Sequence, residues 1–217
     1  MELVSIQVGK PQILPLPGEG EKTWRSAIYK ASVSGRVYLG AANLDGDKQA
    51  ATRFHGGPDK VVCCFPSEHY PYWKEATGKG EAFAYGAFGE NFTLRGMLEA
   101  SVCIGDIYEV GEAIVQVSQP RQPCINLVRK WGVSDMIEKM IDADHTGFYL
   151  RVLQTGFVGA GDTVTLQKCL YPELTVAAVN AAMYRKEGGQ TLAARLAELP
   201  EHAESWRKIF RKRLLSA

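Results

Sequence analysis

IYEVGEAIVQVSQPRQPCINLVRKWG, residues 107–132, changes its period halfway along. Ile107–Val110 and Ala113–Val117 alternate apolar and polar residues on either side of Gly111, the pattern of two half-buried strands joined by a glycine turn. Beyond Pro120-Arg121-Gln122-Pro123 the spacing becomes that of a short amphipathic helix, from Cys124 toward Lys130, and Gly132 stops it. Cys124 therefore sits at a strand-to-helix corner whose backbone is restrained by two prolines.

Outward from that corner the first two-thirds of the chain is β-rich. Glu2–Val8 leads into KPQILPLPGEGEK (10–22), whose prolines and glycines predict a loop. Ser26–Val37, with Gly35 inside it, predicts two short strands. Lys60–Phe65 is a continuous apolar run expected to be a buried strand, with Cys63 and Cys64 on opposite faces. Ser67 is the expected cap of a short helix that has Glu68 early in it and ends at Lys74. Glu90–Leu94 predicts a further strand. Phe148–Thr155 and Thr163–Lys168 are expected to pair across the turn-rich GFVGAGD (156–162). Many short strands, few helices and no regular strand–helix alternation predict a mainly β, barrel-like or sandwich core over residues 1–170.

Past Tyr171-Pro172 the texture changes. Val176–Tyr184, Thr191–Leu199 and Ala203–Leu215 each read as a short amphipathic helix, with starts at Thr175, Gln190 and near His202. Residues 171–217 thus predict a small three-helix appendage packed on the β domain. Its last helix carries Arg207, Lys208, Arg211, Lys212 and Arg213.

Composition narrows the function classes. In 217 residues, 46% hydrophobic content is enough for a real core, and a net charge of +1 supplies no global pull toward nucleic acid or an anionic membrane. No run has the length and apolarity of a membrane span, and Met-Glu-Leu-Val at residues 1–4 lacks the basic segment of a signal peptide. The five cysteines include no Cys-x-x-Cys pair and fit neither a zinc spacing nor a disulfide framework. A reduced, cytoplasmic protein without membrane association is the expectation.

Three stretches carry candidate chemistry. A thiol at the start of the helix at Cys124 lies near unpaired backbone N–H groups, and Arg121 adds positive charge; both favour the thiolate, which attacks electrophiles or binds soft metals. Cysteine also packs often as a small hydrophobe, so the local sequence leaves Cys124 open between the two roles. Cys63, Cys64, Cys103 and Cys169 have no such setting and are expected to pack in the core. In FHGGPDK (54–60), Gly56, Gly57 and Pro58 form a tight turn that lets backbone N–H groups approach a ligand. There His55 is a candidate acid/base or turn stabiliser, and Lys60 a candidate partner for a phosphate. In FGENFT (88–93), Glu90 and Asn91 offer hydrogen-bonding groups at the start of a strand.

FHGGPDKVV (54–62), GAFGENFT (86–93), IGDIYEVG (104–111) and SQPRQPC (118–124), in this order, resemble the MOSC domain, the C-terminal domain of molybdenum cofactor sulfurase. The resemblance spans residues 25–168, and Pro-Arg-x-Pro-Cys is its most specific element. The tail is similar to the three-helix domain of bacterial stand-alone members of the YiiM type. The resemblance implies a MOSC-type β-barrel that binds the molybdenum cofactor (molybdenum on molybdopterin), with Cys124 as the metal ligand. It further implies Arg121 and other basic residues on the cofactor phosphate, with His55 and Asn91 at motif positions.

YiiM-type members are similar to reductases of N-hydroxylated compounds such as hydroxylaminopurines and amidoximes. Electrons would then come from a separate flavoprotein or iron–sulfur protein, because no motif for either group is present; a homodimer is left open. One departure stands out. Family members commonly carry Gln-Ala-Asp ahead of the His-Gly-Gly turn, and here Ala51 takes the acid's place. Two rival readings are a sulfur carrier that holds a persulfide on Cys124, and a helix-turn-helix DNA binder in the tail, which the poor spacing and neutral charge disfavour.

Overall fold

The computed structural model describes residues 1–216, and the alternating stretch forms the predicted hairpin within its main sheet. The strands among these residues are β1 (Glu2–Val8), β2 (Gln12–Pro15), β3 (Thr23–Ser26), β4 (Ala31–Ser32), β5 (Arg36–Leu39), β6 (Val62–Pro66), β7 (Phe92–Arg95), β8 (Ile107–Val110), β9 (Ala113–Pro120), β10 (Phe148–Gln154), β11 (Gly156–Gly159) and β12 (Val164–Lys168). Eight of them form one mixed sheet in the order β12-β8-β9-β10-β6-β7-β1-β4, in which only β6 and β7 run parallel. The sheet curls until β1 meets the start of β12: Leu3 N donates to Asp162 O at 2.9 Å and Val164 N to Met1 O at 2.9 Å. The result is a barrel-like β domain.

Helices fill the connections and the C-terminal end: α1 (Thr52–His55), α2 (Tyr70–Thr77), α3 (Ile125–Trp131), α4 (Met136–Asp142), α5 (Val176–Asn180), α6 (Gly189–Glu198) and α7 (Glu204–Leu215). No helix among the described residues is long and apolar enough to cross a membrane. Thr175 caps α5 as expected, its hydroxyl accepting from Ala178 N at 3.0 Å. Val179, Leu196, Trp206 and Phe210 of the tail join Leu3, Phe92, Val115 and Phe148 of the sheet in one buried cluster. At about 1.5–3 kcal/mol for each large apolar side chain buried, that shared core holds the helices on the sheet.

Several expectations need correction. Part of the 10–22 stretch is a strand: β2 pairs with β3, and its prolines lie at or beyond the strand ends, where few ladder N–H groups are lost. The strands expected over Ser26–Val37 are β4 and β5, with Gly35 at φ +81° turning the chain between them. β10 and β12 do not pair with each other. Residues 156–159 of the supposed turn form β11, which pairs with β5, so β10 lies between β9 and β6 and β12 pairs with β8.

Ser67 starts a 3-10 turn rather than capping a helix, and its hydroxyl bonds the Glu68 carboxylate. α2 begins at Tyr70, with Pro71 in the first turn where proline is tolerated, and ends at Thr77. In the tail, α6 starts at Gly189 with Gln190 inside it, and Ala181–Arg185 is a π-turn. The basic face of α7 is largely partnered: Arg207 and Lys208 meet Glu204, Arg211 meets Glu198, and Arg213 donates to Ala182 O and Met183 O.

Candidate functional site

The two faces of β6 lead to the site. Cys64 faces the core cluster, while Cys63 and its register partner Tyr149 on β10 face the other way, onto a cavity outside it. The cavity encloses about 620 Å³ of space, part of it open to solvent at its mouth. α1, the Lys30 and Lys48 segments, the loop through Phe88 and the Arg121–Asn126 corner complete its wall. Of the residues singled out in the sequence, Cys124, Arg121, His55, Lys60 and Asn91 all line it. Gly56 and Gly57 stand outside the lining, and the Gly56 N–H is taken by Thr52 O at 3.0 Å.

Cys124 is half-buried in the wall and is the N-cap residue of α3, with an extended backbone that turns the chain from strand to helix. Arg121 is 5% exposed. Its Nη2 donates to Phe88 O at 2.6 Å, its backbone N–H to Gly147 O at 3.0 Å, and its Nη1 is buried with no hydrogen-bond partner among the described residues. Burial works against the charge, but Cys63, Tyr149 and Cys124 nearby outweigh it and raise the guanidinium pKa above its ordinary value.

Glu90 shapes the loop that presents Phe88. Its fully buried carboxylate accepts Gly86 N at 2.6 Å, Phe88 N at 3.0 Å, Thr93 Oγ1 at 3.1 Å and the Tyr70 hydroxyl. Gly89, at φ +71°, packs so closely on Ile28 that a Cβ would lie 2.7 Å from its side chain. Lys130 fastens the same wall from α3, donating to Gly86 O at 2.9 Å and Ile28 O at 3.3 Å. Burial first, then Arg121 and Lys30, push its ammonium down to about 8.

Asn91 is a structural tie. Its Oδ1 accepts the Cys63 N–H at 3.1 Å, and its Nδ2 donates to Asp47 Oδ2 at 2.9 Å and Gln7 O at 3.2 Å. Both amide donors are thus committed within the protein. Asp47 also accepts Gly9 N at 2.8 Å and forms a buried ion pair with Lys30. His55 is held below the ordinary histidine range by burial first, then by Arg121 and Lys60. Its ring is therefore neutral near pH 7, which disfavours a role as a standing imidazolium. Lys60 donates to Phe54 O at 2.8 Å, which closes the turn after α1, and burial lowers its pKa.

The structure adds lining residues that no motif marked: Arg25, Lys30, Lys48, Cys63 and Tyr149. Lys30 and Lys48 follow unremarkable stretches of sequence, and only the fold turns them inward. Cys63 is buried as expected, but against the cavity, where burial raises its thiol pKa. Cys169 departs from expectation by being exposed, because it lies just beyond the end of β12. In sum, Arg25, Lys48, Lys60 and Arg121 converge with the Asp47-paired Lys30 on the cavity, whose lining contains no aspartate or glutamate. A soft sulfur within a cationic wall suits an anionic ligand that also carries a thiophilic centre.

Comparison with known proteins shows the family of the chain. A family profile described as MOSC domain matches residues 51–165, and one described as YiiM-like, 3-alpha helix domain matches residues 174–217. The Bacillus subtilis protein YflK is 41% identical over 97% of this chain and 93% of its own length. The crystal structure of YiiM from Geobacillus stearothermophilus superposes with a TM-score of 0.82 at 38% identity, covering 98% of each chain. A Gibberella moniliformis protein named reductase is 32% identical over 99% of this chain, a match that spans 38% of the fungal protein.

Proposed function

This chain belongs to the MOSC domain family and carries the YiiM-like three-helix domain, and from that premise we propose that it is a molybdenum-cofactor-dependent reductase of N-hydroxylated compounds. The observation that carries this reading is the cavity itself: four cations, Arg25, Lys48, Lys60 and Arg121, that have no carboxylate in the lining to answer them, and the Cys124 sulfur in one wall. The residues present fit the cofactor. Its phosphate matches the cationic wall and the unpartnered Arg121 Nη1, and its metal matches a soft sulfur ligand. The fungal relative's name supports reductase chemistry.

In this reading the bound cofactor supplies a two-electron redox centre capable of removing oxygen from an N–OH group. Cys124 offers the sulfur that holds the metal, and the α3 corner fixes where that sulfur points. Arg121 and Lys60 bind the phosphate; Lys48 and Arg25 extend the cationic wall, and Lys30, held by Asp47, supports it from behind. His55, neutral at working pH, orients ligand or substrate by hydrogen bonding and takes up a proton only on acidification. The net change converts a hydroxylamine or amidoxime to the amine or amidine plus water, with two electrons and two protons consumed. A separate flavoprotein or iron–sulfur protein of the same cytoplasmic compartment supplies the electrons.

The test is to express the protein in a cofactor-producing host and measure molybdenum and pterin per chain, then follow N-hydroxyadenine reduction with a chemical electron donor. Wild type should hold metal and turn over, while Cys124→Ser should lose both metal and activity. Equal metal content in the two proteins would sink the ligand assignment. Cyanide-releasable sulfur without metal or pterin would favour the sulfur-carrier reading instead.

A further inference from the structure

The register of β8 and β12 brings together side chains far apart in sequence. Lys168 of β12 faces Ile107 of β8, and just beyond these strand ends Cys169 and Asp106 lie close together. Asp106 Oδ2 accepts the Cys103 N–H at 2.9 Å and the Tyr108 hydroxyl at 3.0 Å, a turn that folds Cys103 back over the carboxylate. The two sulfurs and a carboxylate oxygen of Asp106 all lie within 4.8 Å of one another. Asp106 is only 1% exposed, and its Oδ1 is buried with no hydrogen-bond partner among the described residues. A buried carboxylate oxygen without a strong donor is costly, and a cation held between it and the neighbouring Cys169 sulfur would satisfy it better than the weak S–H of that thiol.

From this geometry we propose that Cys103, Asp106 and Cys169 form a second ligand site, one for a thiophilic divalent cation of the zinc class. Two sulfurs and one oxygen match a tetrahedral zinc site whose fourth position is open to solvent on the exposed Cys169 side. Hard cations such as magnesium or calcium, which need about six oxygen ligands, do not match that donor set. On binding, the thiols release their protons to solvent and the sulfurs bond the cation, with no change in oxidation state.

The position also suggests a consequence. Cys169 opens the linker into α5, and that linker is already laid along the β domain: Ile104 N donates to Leu174 O at 2.9 Å and Val176 N to Val102 O at 2.8 Å. A cation held between Cys169 and the Cys103–Asp106 turn fastens the linker to the β domain, so binding stabilises the docked tail. None of the three residues lines the cavity at Cys124, and this site stands whether or not the molybdenum reading does.

The experiment uses the full chain, stripped of metal and kept reduced with a non-thiol reductant. Zinc is titrated against a chromophoric chelator into wild type, Cys169→Ser and the cavity-thiol variant Cys63→Ser/Cys124→Ser. Wild type and the cavity-thiol variant should each bind one tight equivalent, and zinc should raise the melting temperature of both. Cys169→Ser, altered at an exposed position, should fold as wild type and bind at least about tenfold more weakly. Cobalt should give sulfur-to-metal charge-transfer absorption that drops by about half in Cys169→Ser, as expected when one of two sulfur ligands is removed. Equal zinc affinity in wild type and Cys169→Ser overturns the proposal, as does a tight equivalent that disappears in the cavity-thiol variant.

Discussion

Arg121 is tied to Phe88 at one end of its guanidinium and unsatisfied at the other: Nη2 donates to the Phe88 carbonyl at 2.6 Å, while the buried Nη1 has no partner among the described residues. A planar fork anchored on one side presents its other N–H groups in a fixed direction, the arrangement used to grip phosphate bidentately. A charge-assisted hydrogen bond of this kind contributes about 1.5–3 kcal/mol, so losing it should weaken anion retention by about tenfold to a hundredfold. Arg121→Met should therefore lose pterin and molybdenum together, and Arg121→Lys should restore little because an ammonium lacks the fork. Cys124→Ser should lose metal in excess of pterin. Metal and pterin analysis after desalting separates these outcomes; full pterin content in Arg121→Met would remove Arg121 from the phosphate site.

The Lys30–Asp47 pair makes the second prediction. Both side chains are almost completely buried, and the Asp47 carboxylate also accepts Gly9 N and Asn91 Nδ2. Removing one partner of such a pair leaves the other charge buried and costs about 3–5 kcal/mol, whereas replacing both with apolar groups costs much less. Urea unfolding should show Lys30→Met and Asp47→Leu each as severely destabilised and Lys30→Met/Asp47→Leu as partly restored. Strict additivity in the double-mutant cycle would mean the two charges do not support each other.

How far these features were legible in the sequence depends on the range of the interactions behind them. The hairpin over 107–120 and the turn at Cys124 were visible because a change of period and two prolines are local signals. The partners of β10 were hidden, because β11 looked like a turn until its pairing with the distant β5 supplied a ladder. α4 was not predicted, although Met136 and Met140 stand four residues apart on its buried face. At the cavity, the motifs led to Cys124, Arg121, His55, Lys60 and Asn91. Lys30, Lys48 and the inward face of Cys63 depend on long-range packing and left no local trace. The Cys103–Asp106–Cys169 cluster was invisible for the same reason, since only strand register assembles it.

Acid sensitivity should trace partly to His202. Its ring is fully buried against Trp206 and Phe210, Nδ1 lies 3.0 Å from Leu196 O, and burial holds its pKa at about 4 against an ordinary 6.5. The unfolded chain therefore binds a proton there between pH 6.5 and about 4 while the native state does not, so stability is present above 6.5 and falls as pH drops through that window. The contribution is about 3 kcal/mol at most. His202→Gln keeps a donor for Leu196 O but cannot titrate, so its urea midpoint should fall less steeply between pH 7 and 4.5. His145, also lowered to about 4, preserves part of the slope. Identical slopes in the two proteins would show that His202 does not contribute.

Ala51 offers the last test, because it stands where the family resemblance leads to the expectation of an acid and occupies the N-cap of α1 without any side-chain cap. Ala51→Asp supplies a carboxylate for the first-turn amides, and a cap of that kind contributes about 1 kcal/mol. The same carboxylate enters the cavity wall near His55, where burial first, then Arg121 and Lys60, hold the imidazole below its ordinary range. A negative charge there opposes both cations, so the His55 midpoint should move up in an NMR titration and the ring should hold a proton over a wider acidic range. Stability should rise alongside it, read as a higher urea midpoint at pH 7. An unchanged His55 midpoint would mean that the side chain at position 51 points away from the ring, and that an acid there serves α1 rather than the histidine.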